Sequence, residues 1–301
     1  MEHITLHAYG KINLALDTIG KRNDGYHLVR MIMQTVGVYD VITITKTKEH
    51  NGIRLTTNRG DLPVNQDNLI YKAAQLIIDE FQISEGVTIY LEKNIPVAAG
   101  MAGGSTDCAA TLIGMNQLFS LGLSKEELMK RGVTLGADVP YCIMGGTALS
   151  EGIGEVLTPL TDIVPCKVLL IKPDIDISTK WVYTTLKWDT LETHPDVDGM
   201  IDALNEHSLT NVANTLGNVL ETVTIPANPV IQDIKDMMIS LGSLNSMMSG
   251  SGPTVFGLYT DETLATEAFQ KCKALYPNFQ VELTDFITRE QIEQELLVLN
   301  N

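Results

Sequence analysis

The sequence predicts a mixed α and β fold in two domains, and three observations support this prediction. A chain of 301 residues is long enough for about two domains. Strand-like alternation of apolar residues and helix-like apolar repeats occur in turn along the chain. The pattern changes near residue 160, just beyond the second of two glycine-rich regions. We therefore expect one domain over residues 1–160 and another over residues 161–301.

The first predicted strand has an apolar face and a polar face. In ITLHAYGKINLALD, the side chains of Ile12, Leu14 and Leu16 share one face. Lys11 and Asn13 share the other face, which places a charge beside an amide. The segment KRNDGYH then predicts a turn that reverses at Asp-Gly.

Two strands and three helices are predicted between this turn and residue 160. The third helix begins at a capping box, in which Ser124 precedes Glu127 by three residues. We expect this helix to stop at Gly132. In chain order, the elements are strand VYDVITIT, helix NQDNLIYKAAQLIIDEF, strand GVTIYLEK, helix STDCAATLIGMNQLFSLG and helix SKEELMKRG.

The second half begins with a strand and ends with a strand. One of its helices is predicted to start with Asn228 as cap and Pro229 at the first position, and to stop at Gly242. Asp261 is predicted to lie near the cap of the last helix. The segment KWDTLETHPDVDGM is sparse in apolar residues and predicts a loop or an insertion. In chain order, the other elements are strand CKVLLIK, helices ISTKWVYTTL and HSLTNVANTLGNVLETV, the strand–turn–strand SLNSMMSGSGPTVFGLYT, helix DETLATEAFQKCKALY and strand FQVELTDF.

Composition narrows the class of protein. The net charge of −16 argues against nucleic acids and anionic membranes as partners, although a small anionic ligand needs only local positive charge. No apolar run approaches the roughly 20 residues of a membrane span, and the start MEHITLHAYG does not resemble a signal peptide. Four widely spaced cysteines without a CxxC pair favour reduced, mostly buried thiols and a cytoplasmic protein, and they argue against a zinc site.

The stretch PVAAGMAGGSTDCAA places a nearly side-chain-free loop between a strand and a helix. Such a loop exposes backbone N–H groups at a helix N-terminus, where the helix dipole favours an anion. Ser105 and Thr106 are expected to cap this helix and to offer hydroxyl groups. The loop matches neither GxxxxGK[ST] nor GxGxxG. It is therefore interpreted as a phosphate cradle or, alternatively, as a tight turn that lets the helix pack on the strand.

Four stretches together resemble the GHMP kinase superfamily, which includes galactokinase, homoserine kinase and mevalonate kinase. PVAAGMAGGSTDCAA is similar to its phosphate-binding motif. Within the superfamily, the other three are similar to motifs of the family of 4-diphosphocytidyl-2-C-methyl-D-erythritol kinases. These are YGKINLALD with KRNDGYH, then LGADVPYCIMGG, then MSGSGPTVFGLY. Their order and spacing agree over nearly the whole chain, whereas residues 186–205 resemble none of these motifs.

The resemblance implies an α+β fold of two domains with the active site between them. The N-terminal domain is expected to be ribosomal-S5-like and to hold the ATP-binding glycine loop, and the C-terminal domain to be ferredoxin-like. The implied reaction transfers the γ-phosphoryl group of ATP to the 2-hydroxyl of 4-diphosphocytidyl-2-C-methyl-D-erythritol, a step of the non-mevalonate isoprenoid pathway. Mg²⁺ is expected because phosphoryl transfer from ATP generally uses it, although no metal-ligand motif is visible.

For ATP, the resemblance implies a binding loop, two residues that line the adenosine and a second backbone wall. Asn68 and Lys93 are expected to line the adenosine. Gly250, Ser251 and Gly252 are expected to form the wall, with a simple hairpin turn as the alternative. The expected loop residues are Pro96, Val97, Ala98, Ala99, Gly100, Met101, Ala102, Gly103, Gly104, Ser105 and Thr106.

The resemblance assigns catalysis to Asp138 and Lys11. Asp138 lies between glycine-alanine and proline, on a constrained segment, and is the expected base for the hydroxyl proton. The alternative is an aspartate that only caps a helix or stabilises a turn. Lys11 is expected to keep Asp138 ionised and to face the transferred phosphoryl group. Its alternative role is that of an exposed lysine on a strand.

The substrate side is expected to involve Asn13, Tyr26, His27 and Tyr183. Asn13 is implied to hold the substrate, while Tyr26 and His27 are implied to contact the cytosine. Tyr183 is expected on the opposite face of the base, with Trp181 as a rival and core packing as an alternative. Packing on the hairpin and exposure to solvent are the alternatives for Tyr26 and His27.

Two other functions remain open at this point. One is a GHMP-type kinase for another small alcohol, and the other is a non-catalytic homologue that binds nucleotide. In each case the partner is a small molecule and neither a nucleic acid nor a membrane. The sequence leaves open whether the protein is a monomer or a homodimer.

Overall fold

Two β-sheets organise the chain in the computed structural model, which describes residues 2–49 and 51–298. Within these residues the larger sheet has the strand order β3-β4-β2-β1-β8, with β5 paired to β2 and β6 to β5. Its strands are β1 (His3–Lys21), β2 (His27–Thr47), β3 (Ile53–Thr57), β4 (Gly86–Glu92), β5 (Thr147–Gly152), β6 (Val156–Pro159) and β8 (Gly217–Asn218).

The β1–β2 hairpin is the longest feature of this sheet, and it positions the site. It runs from His3 opposite Thr45 to Lys21 opposite His27, and the predicted KRNDGYH turn closes it. Because β2 is long, its two ends pair with different strands. Residues 41–47 pair with β4, and residues 29–34 pair with β5. The hairpin therefore extends beyond the sheet core toward its turn.

Four helices lie between the strands of the first half in chain order. They are α1 (Leu69–Phe81), α2 (Gly103–Leu118), α3 (Lys125–Leu135) and α4 (Val139–Met144). Ile70, Ile77 and Leu112 are buried against Ile44 and Ile89 of the sheet. This burial of apolar faces is the main favourable contribution to folding here. The predicted capping box is confirmed, since Ser124 and Glu127 bond reciprocally at the start of α3.

The smaller sheet is antiparallel and has the strand order β11-β7-β10-β9 within the described residues. Asp261 caps α10 as predicted, and Gly242, with φ of 92°, follows the end of α9. The strands are β7 (Lys167–Lys172), β9 (Ser246–Met248), β10 (Val255–Tyr259) and β11 (Gln280–Asp285). The helices of this half are α5 (Thr179–Thr185), α6 (Val197–Asn205), α7 (Leu209–Asn214), α8 (Glu221–Ala227), α9 (Val230–Ser240), α10 (Glu262–Leu275) and α11 (Arg289–Val298).

The predicted stop of α3 at Gly132 is wrong. The helix continues to Leu135, and Gly136 follows it. Gly132 is buried where α3 crosses α4, and a Cβ at this position would lie 2.8 Å from Val139. This glycine therefore permits close helix packing and does not end the helix.

The single helix predicted over HSLTNVANTLGNVLETV is also wrong. It is divided into α7, the two-residue strand β8 and α8. β8 pairs in parallel with Ala15 and Leu16 of β1. Pairing with this strand edge is a tertiary contact, and it overrides a weak local preference for helix. Since β8 comes from the second half, that half contributes to the larger sheet, and the boundary at residue 160 stays a prediction.

Three smaller expectations at the second half also need correction. Asn228 ends α8, and Pro229 takes the cap position of α9. The expected loop KWDTLETHPDVDGM contains a 3-10 helix, Trp188–Thr190, and the start of α6. Asp196 caps α6, and its Oδ1 accepts from the N–H of Gly199. The last strand is followed by α11, which the sequence did not predict.

Two expectations from composition can be compared with the described chain. Cys108, Cys166 and Cys272 are buried, and all four cysteines are free. None of the helices in the described residues is both long and apolar enough to cross a membrane.

Candidate active site

A cleft of about 950 Å³ brings the predicted site residues together. Its walls are the glycine loop that precedes α2, the cleft-facing side of the β1–β2 hairpin, helix α5 and the turn between β9 and β10. These segments come from both halves of the chain. The predicted residues that line the cleft are Lys11, Asn13, Tyr26, His27, Asn68, Lys93, Pro96, Val97, Ala98, Ala99, Gly100, Ala102, Gly103, Gly104, Ser105, Asp138, Tyr183, Gly250 and Ser251.

The glycine loop alternates into the left-handed backbone region. Ala98, Gly100 and Ala102 have φ of 51°, 71° and 56°. Ala102 precedes α2 without any side-chain cap from the described residues, so the predicted capping by Ser105 or Thr106 is wrong. The first N–H groups of α2 are consequently available to a ligand. Successive N–H groups in such a conformation form a concave anion site.

The glycine loop packs directly on the turn between β9 and β10. The hydroxyl of Ser249 donates to the carbonyl oxygen of Gly100 at 2.9 Å. A Cβ at Gly100 would lie only 2.1 Å from the carbonyl oxygen of Ser249. The backbone N–H of Lys11 donates to the carbonyl oxygen of Met101 at 3.1 Å. The loop is thus held between the hairpin and the C-terminal glycine motif.

Three predicted residues lie outside the described lining of the cleft. Met101 is buried in a core cluster with Ile12 and Ile95. Thr106 is buried, and its hydroxyl donates to the carbonyl oxygen of Tyr9 at 2.6 Å. Gly252 lies next to Met248, whose sulfur would be 2.6 Å from a Cβ at this position. These three residues support the walls, and their contact with ATP stays a prediction.

Asp138 and Lys11 meet at the floor of the cleft. The Lys11 ammonium lies 4.0 Å from Oδ2 of Asp138 and donates to Oδ1 of Asn13 at 2.7 Å and to the carbonyl oxygen of Gly100 at 3.3 Å. Asp138 is the N-cap residue of α4, yet its carboxylate makes no capping hydrogen bond within the described chain. About one third of this side chain is exposed. The carboxylate therefore lies beside Lys11 and lines the cleft without serving the helix as a cap.

A buried charge cluster lies beneath the glycine loop. The Lys93 ammonium forms salt bridges to Asp40 and to Asp107. Burial is the largest influence on Asp107 and raises the pKa of its carboxyl well above the usual range. Asp107 lies in the second turn of α2, so its contact with Lys93 ties the start of this helix to the segment that follows β4. The Lys93 ammonium is thus paired with two carboxylates of the protein. Its contact with adenosine stays a prediction.

The far end of the cleft carries a pair of rings. The ring centroids of His27 and Tyr183 are 5.2 Å apart, and the planes are inclined by 32°. Nε2 of His27 is buried and has no hydrogen-bond partner among the described residues. Burial, with a smaller effect of Lys21, lowers the pKa of His27, so that the ring is neutral at pH 7. Burial also raises the pKa of the Tyr183 hydroxyl.

Tyr26 and Trp181 occupy different positions with respect to this pair. Tyr26 lines the mouth of the cleft, and its side chain is 59% exposed. Trp181, the rival of Tyr183, lies outside the cleft lining in the described chain. Asn68 caps α1, with its Oδ1 accepting from the N–H of Ile70 at 2.9 Å, so its polar atoms serve the fold first.

Sequence reasoning missed Asn218 and Thr179. The Asn218 amide donates to the carbonyl oxygens of Met248 and Gly250, both at 2.8 Å, and so fixes the C-terminal glycine turn. Thr179 and Ser251 share a hydrogen bond of 2.8 Å at the start of α5. The sequence predicted a helix through Asn218, and this wrong prediction hid the role of its side chain. A prediction of a strand followed by a turn would have suggested that the amide holds neighbouring backbone in place.

Comparisons with known proteins identify the family of this chain. The family model described as GHMP kinases N terminal domain matches residues 68–146, and the model described as GHMP kinases C terminal matches residues 200–278. The chain is 53% identical over 292 residues to a 4-diphosphocytidyl-2-C-methyl-D-erythritol kinase of Lachnoclostridium phytofermentans, covering 97% of this chain and 100% of that protein. The chain belongs to the 4-diphosphocytidyl-2-C-methyl-D-erythritol kinase family of the GHMP kinases.

Solved structures of other proteins are similar to this chain in fold. A crystal structure of a 4-(cytidine 5'-diphospho)-2C-methyl-D-erythritol kinase is similar with a TM-score of 0.80 at 28% identity, covering 94% of this chain and 99% of that chain. Homoserine kinase from Cytophaga hutchinsonii is similar in fold, with a TM-score of 0.76 at 18% identity over 96% of this chain and 95% of its own. The predicted two-domain α+β GHMP kinase fold is thus confirmed. As a member of this kinase family, the protein uses ATP as co-substrate.

Proposed function

We propose that the protein transfers the γ-phosphoryl group of ATP to the 2-hydroxyl of 4-diphosphocytidyl-2-C-methyl-D-erythritol. This reaction is a step of the non-mevalonate route to isoprenoid precursors. The observation that carries the proposal is that one cleft joins a backbone anion site, the Asp138–Lys11 pair and the His27–Tyr183 ring pair. The name shared by the relatives at about half identity supports it.

In this proposal the phosphates of ATP bind at the start of α2. Backbone N–H groups of the glycine loop and the positive end of the helix dipole stabilise them. The Asp138 carboxylate accepts the proton of the 2-hydroxyl as the hydroxyl oxygen bonds to the γ-phosphorus. The bond between this phosphorus and the β–γ bridging oxygen breaks, and ADP leaves. The Lys11 ammonium compensates the charge of the transferred group, and the Asn13 and Gly100 oxygen atoms hold this ammonium in place.

Mg²⁺ fits the oxygen donors of the cleft as a partner of the nucleotide. No cluster of three or more His, Cys, Asp or Glu side chains suited to a metal occurs in the described residues. Magnesium, however, usually takes one or two protein oxygen atoms and completes its shell with phosphates and water. Asp138 and Ser105 both line the cleft and would supply those oxygen atoms. When bound, the ion neutralises charge on the phosphate oxygens.

The cytidine group is proposed to bind at the far end. The neutral His27 ring lines the cleft beside the Tyr183 ring, and the two rings together offer the cytosine an aromatic surface. Tyr26 covers the base from the mouth of the cleft. Stacking on aromatic rings is worth about 1–3 kcal/mol per base.

The deciding experiment measures ADP release from ATP and Mg²⁺ with and without the cytidine-linked alcohol. Turnover that depends on this alcohol, and that other small alcohols do not support, is expected. Preference for another alcohol in the panel would favour a different GHMP-type kinase. Tight ATP binding without turnover on any alcohol would instead favour a non-catalytic homologue. The predicted cytoplasmic location and the monomer or homodimer state stay predictions.

A further inference from the structure

The segment that follows α5 passes around the β1–β2 hairpin. We call residues 187–198 the brace. It begins directly after α5, which carries Tyr183 beside His27 in the cleft. Trp188 and Leu191 of the brace pack partly buried in the core cluster that contains Leu16. The brace therefore starts on the cleft side of the hairpin and is anchored there by apolar contacts.

The brace then contacts the opposite face of the same hairpin. In the strand register, Asp17 on β1 lies directly across from Arg30 on β2. Neighbouring residues on the two strands, Leu16, Val29 and Met31, line the cleft. Because successive side chains of a strand point to opposite faces, Asp17 and Arg30 lie on the face that is turned away from the cleft.

The brace pairs with each of these two opposite residues. Nδ1 of His194 lies 2.8 Å and 3.0 Å from the two carboxylate oxygens of Asp17, and it donates to this acceptor. The Arg30 guanidinium donates to both oxygens of Asp198, at 3.0 Å and 2.6 Å. His194 and Asp198 are four residues apart, so one short stretch is joined to both strands of the hairpin at one level.

The charges at this level are complementary. The Asp17 side chain is only 9% exposed, and a buried carboxylate is costly unless a partner compensates it. His194 donates to this carboxylate and is one of its compensating partners. Arg30 also lies 3.5 Å from Glu151 of β5, which is opposite it in register. The Arg30 guanidinium is therefore paired with two carboxylates, those of Glu151 and Asp198. The bidentate geometry fixes direction as well as distance.

We propose that the brace holds the outer hairpin against α5 and thereby sets the spacing between His27 and Tyr183, so that His194 and Asp198 are positioning residues for the cytidine group. The inference rests on the proposed function, because it assigns the ring pair to that group. His27 lies only three residues before Arg30 on the same strand, nearer the hairpin turn. A hairpin released at Asp17 and Arg30 therefore has freedom to move at its ring-bearing end.

The test is the double variant His194→Ala with Asp198→Ala. We expect the KM for the cytidine-linked alcohol to rise about tenfold, since the hydrogen bond of His194 and the partly exposed Arg30–Asp198 ion pair together contribute on the order of 1–2 kcal/mol. The KM for ATP and the kcat are expected to stay within about twofold of wild type, because the glycine loop and Asp138 lie outside the brace contacts. The single variant His194→Asn, whose amide also donates toward Asp17, is expected to keep the substrate KM closer to the wild-type value than the single variant His194→Ala does.

The matched control is Glu192→Ala, which removes an exposed acid from the same brace. It is expected to leave both KM values unchanged. An unchanged substrate KM in the double variant, or an equal rise in both KM values, would overturn the inference.

Hydrogen exchange separates this inference from the proposed function. Faster exchange of amides over residues 20–28 in the double variant is expected whether or not the wild type accepts the cytidine-linked alcohol. If the wild type shows no turnover on that alcohol, the proposed function fails while the exchange result still reports on the brace. Unchanged exchange in these amides would reject the brace itself.

Discussion

The two ends of the cleft differ in composition: one is built from backbone groups and the other from side chains. The end proposed for the ATP phosphates, here called the phosphate end, consists of backbone, with alternating left-handed residues, uncapped N–H groups of α2 and a glycine packed against the carbonyl of Ser249. The end proposed for the cytidine group, here called the cytidine end, consists of side chains, namely the His27 and Tyr183 rings with Tyr26 at the mouth. The phosphate end is shaped by local backbone conformation together with its contact with Ser249, whereas the cytidine end depends on side chains from segments distant in sequence.

This difference predicts different responses to substitution. A backbone site tolerates little change because each glycine conformation is needed. A side-chain site loses affinity gradually, ring by ring. Substitutions at the two ends should therefore separate effects on ATP from effects on the cytidine substrate.

The largest effect is expected where the two ends meet. Asp138→Asn keeps the size of the side chain but removes the acceptor for the hydroxyl proton. We expect kcat to fall by about 10³-fold or more while ATP still binds, because a general base contributes on the order of 10²–10⁴-fold. Steady-state kinetics and calorimetry with ATP would measure the two quantities.

The contrary outcome for this variant is informative. Near-normal turnover in Asp138→Asn would remove the carboxylate as the base and leave Lys11 and the loop as the catalytic elements. Lost ATP binding would show instead that Asp138 is needed to hold the nucleotide or its metal.

Gly100→Ala tests the phosphate end. The added Cβ would lie 2.1 Å from the Ser249 carbonyl oxygen, at φ of 71°. We expect a loss of about 3 kcal/mol or more in the free energy of unfolding and a rise in KM for ATP, because strain and overlap act together. Urea denaturation and ATP kinetics measure these effects.

Gly122→Ala is the matched control for that substitution. Gly122 has a nearly equal φ of 73°, but a Cβ there would meet no described atom within 4 Å. It should therefore cost only about 1 kcal/mol and leave KM for ATP unchanged. Equal effects of the two substitutions would show that backbone strain, and not the contact with Ser249, governs the loop.

How far the sequence predicted the site follows the same division. The glycine loop was recognisable because its conformation is encoded locally by small residues between a strand and a helix. The Asp138 position was recognisable by resemblance, but its missing capping bond was not. The proximity of His27 to Tyr183 joins residues 156 positions apart, and no local pattern encodes it.

The fold shows the same limit at Gly217 and Asn218. Their surroundings have helical spacing, yet they form a strand because the edge of β1 lies beside them. The segment 186–205 was left without a role because its partners, Asp17 and Arg30, are on the first hairpin. Ion pairs between distant segments leave no periodic signal in the sequence.

Tyr26→Ala tests the cytidine end. We expect KM for the cytidine-linked alcohol to rise about tenfold, since one stacked base is worth about 1–3 kcal/mol. KM for ATP should change less than twofold. Ile19→Ala, at a 53% exposed residue of the same hairpin, is the control and should change neither constant. Equal weakening of both substrates in Tyr26→Ala would indicate a folding defect and would blur the division between the two ends.

The smallest expected effect is a pH dependence confined to the cytidine end. Burial, and to a lesser degree Lys21, lowers the pKa of His27 below its ordinary value of 6.5. The neutral ring is therefore favoured in the folded protein, and its contribution to stability is present above pH 6.5 and is lost as the pH falls through the lowered pKa. Protonation also places a positive charge beside the cytosine, so CDP should bind several-fold more weakly at low pH.

Calorimetry from pH 8 to well below pH 6.5 would measure this effect, because the lowered pKa of His27 lies below its ordinary value of 6.5. ADP, which the proposal places at the phosphate end, is the control, so the ratio of the CDP and ADP dissociation constants separates a titration at the cytidine end from one at the phosphate end. This ratio should rise as the pH falls in the wild type and stay flat in His27→Gln, which keeps a polar side chain without a titrating ring. A ratio that rises equally in both proteins would place the titrating group elsewhere in the cleft and would separate His27 from cytosine binding.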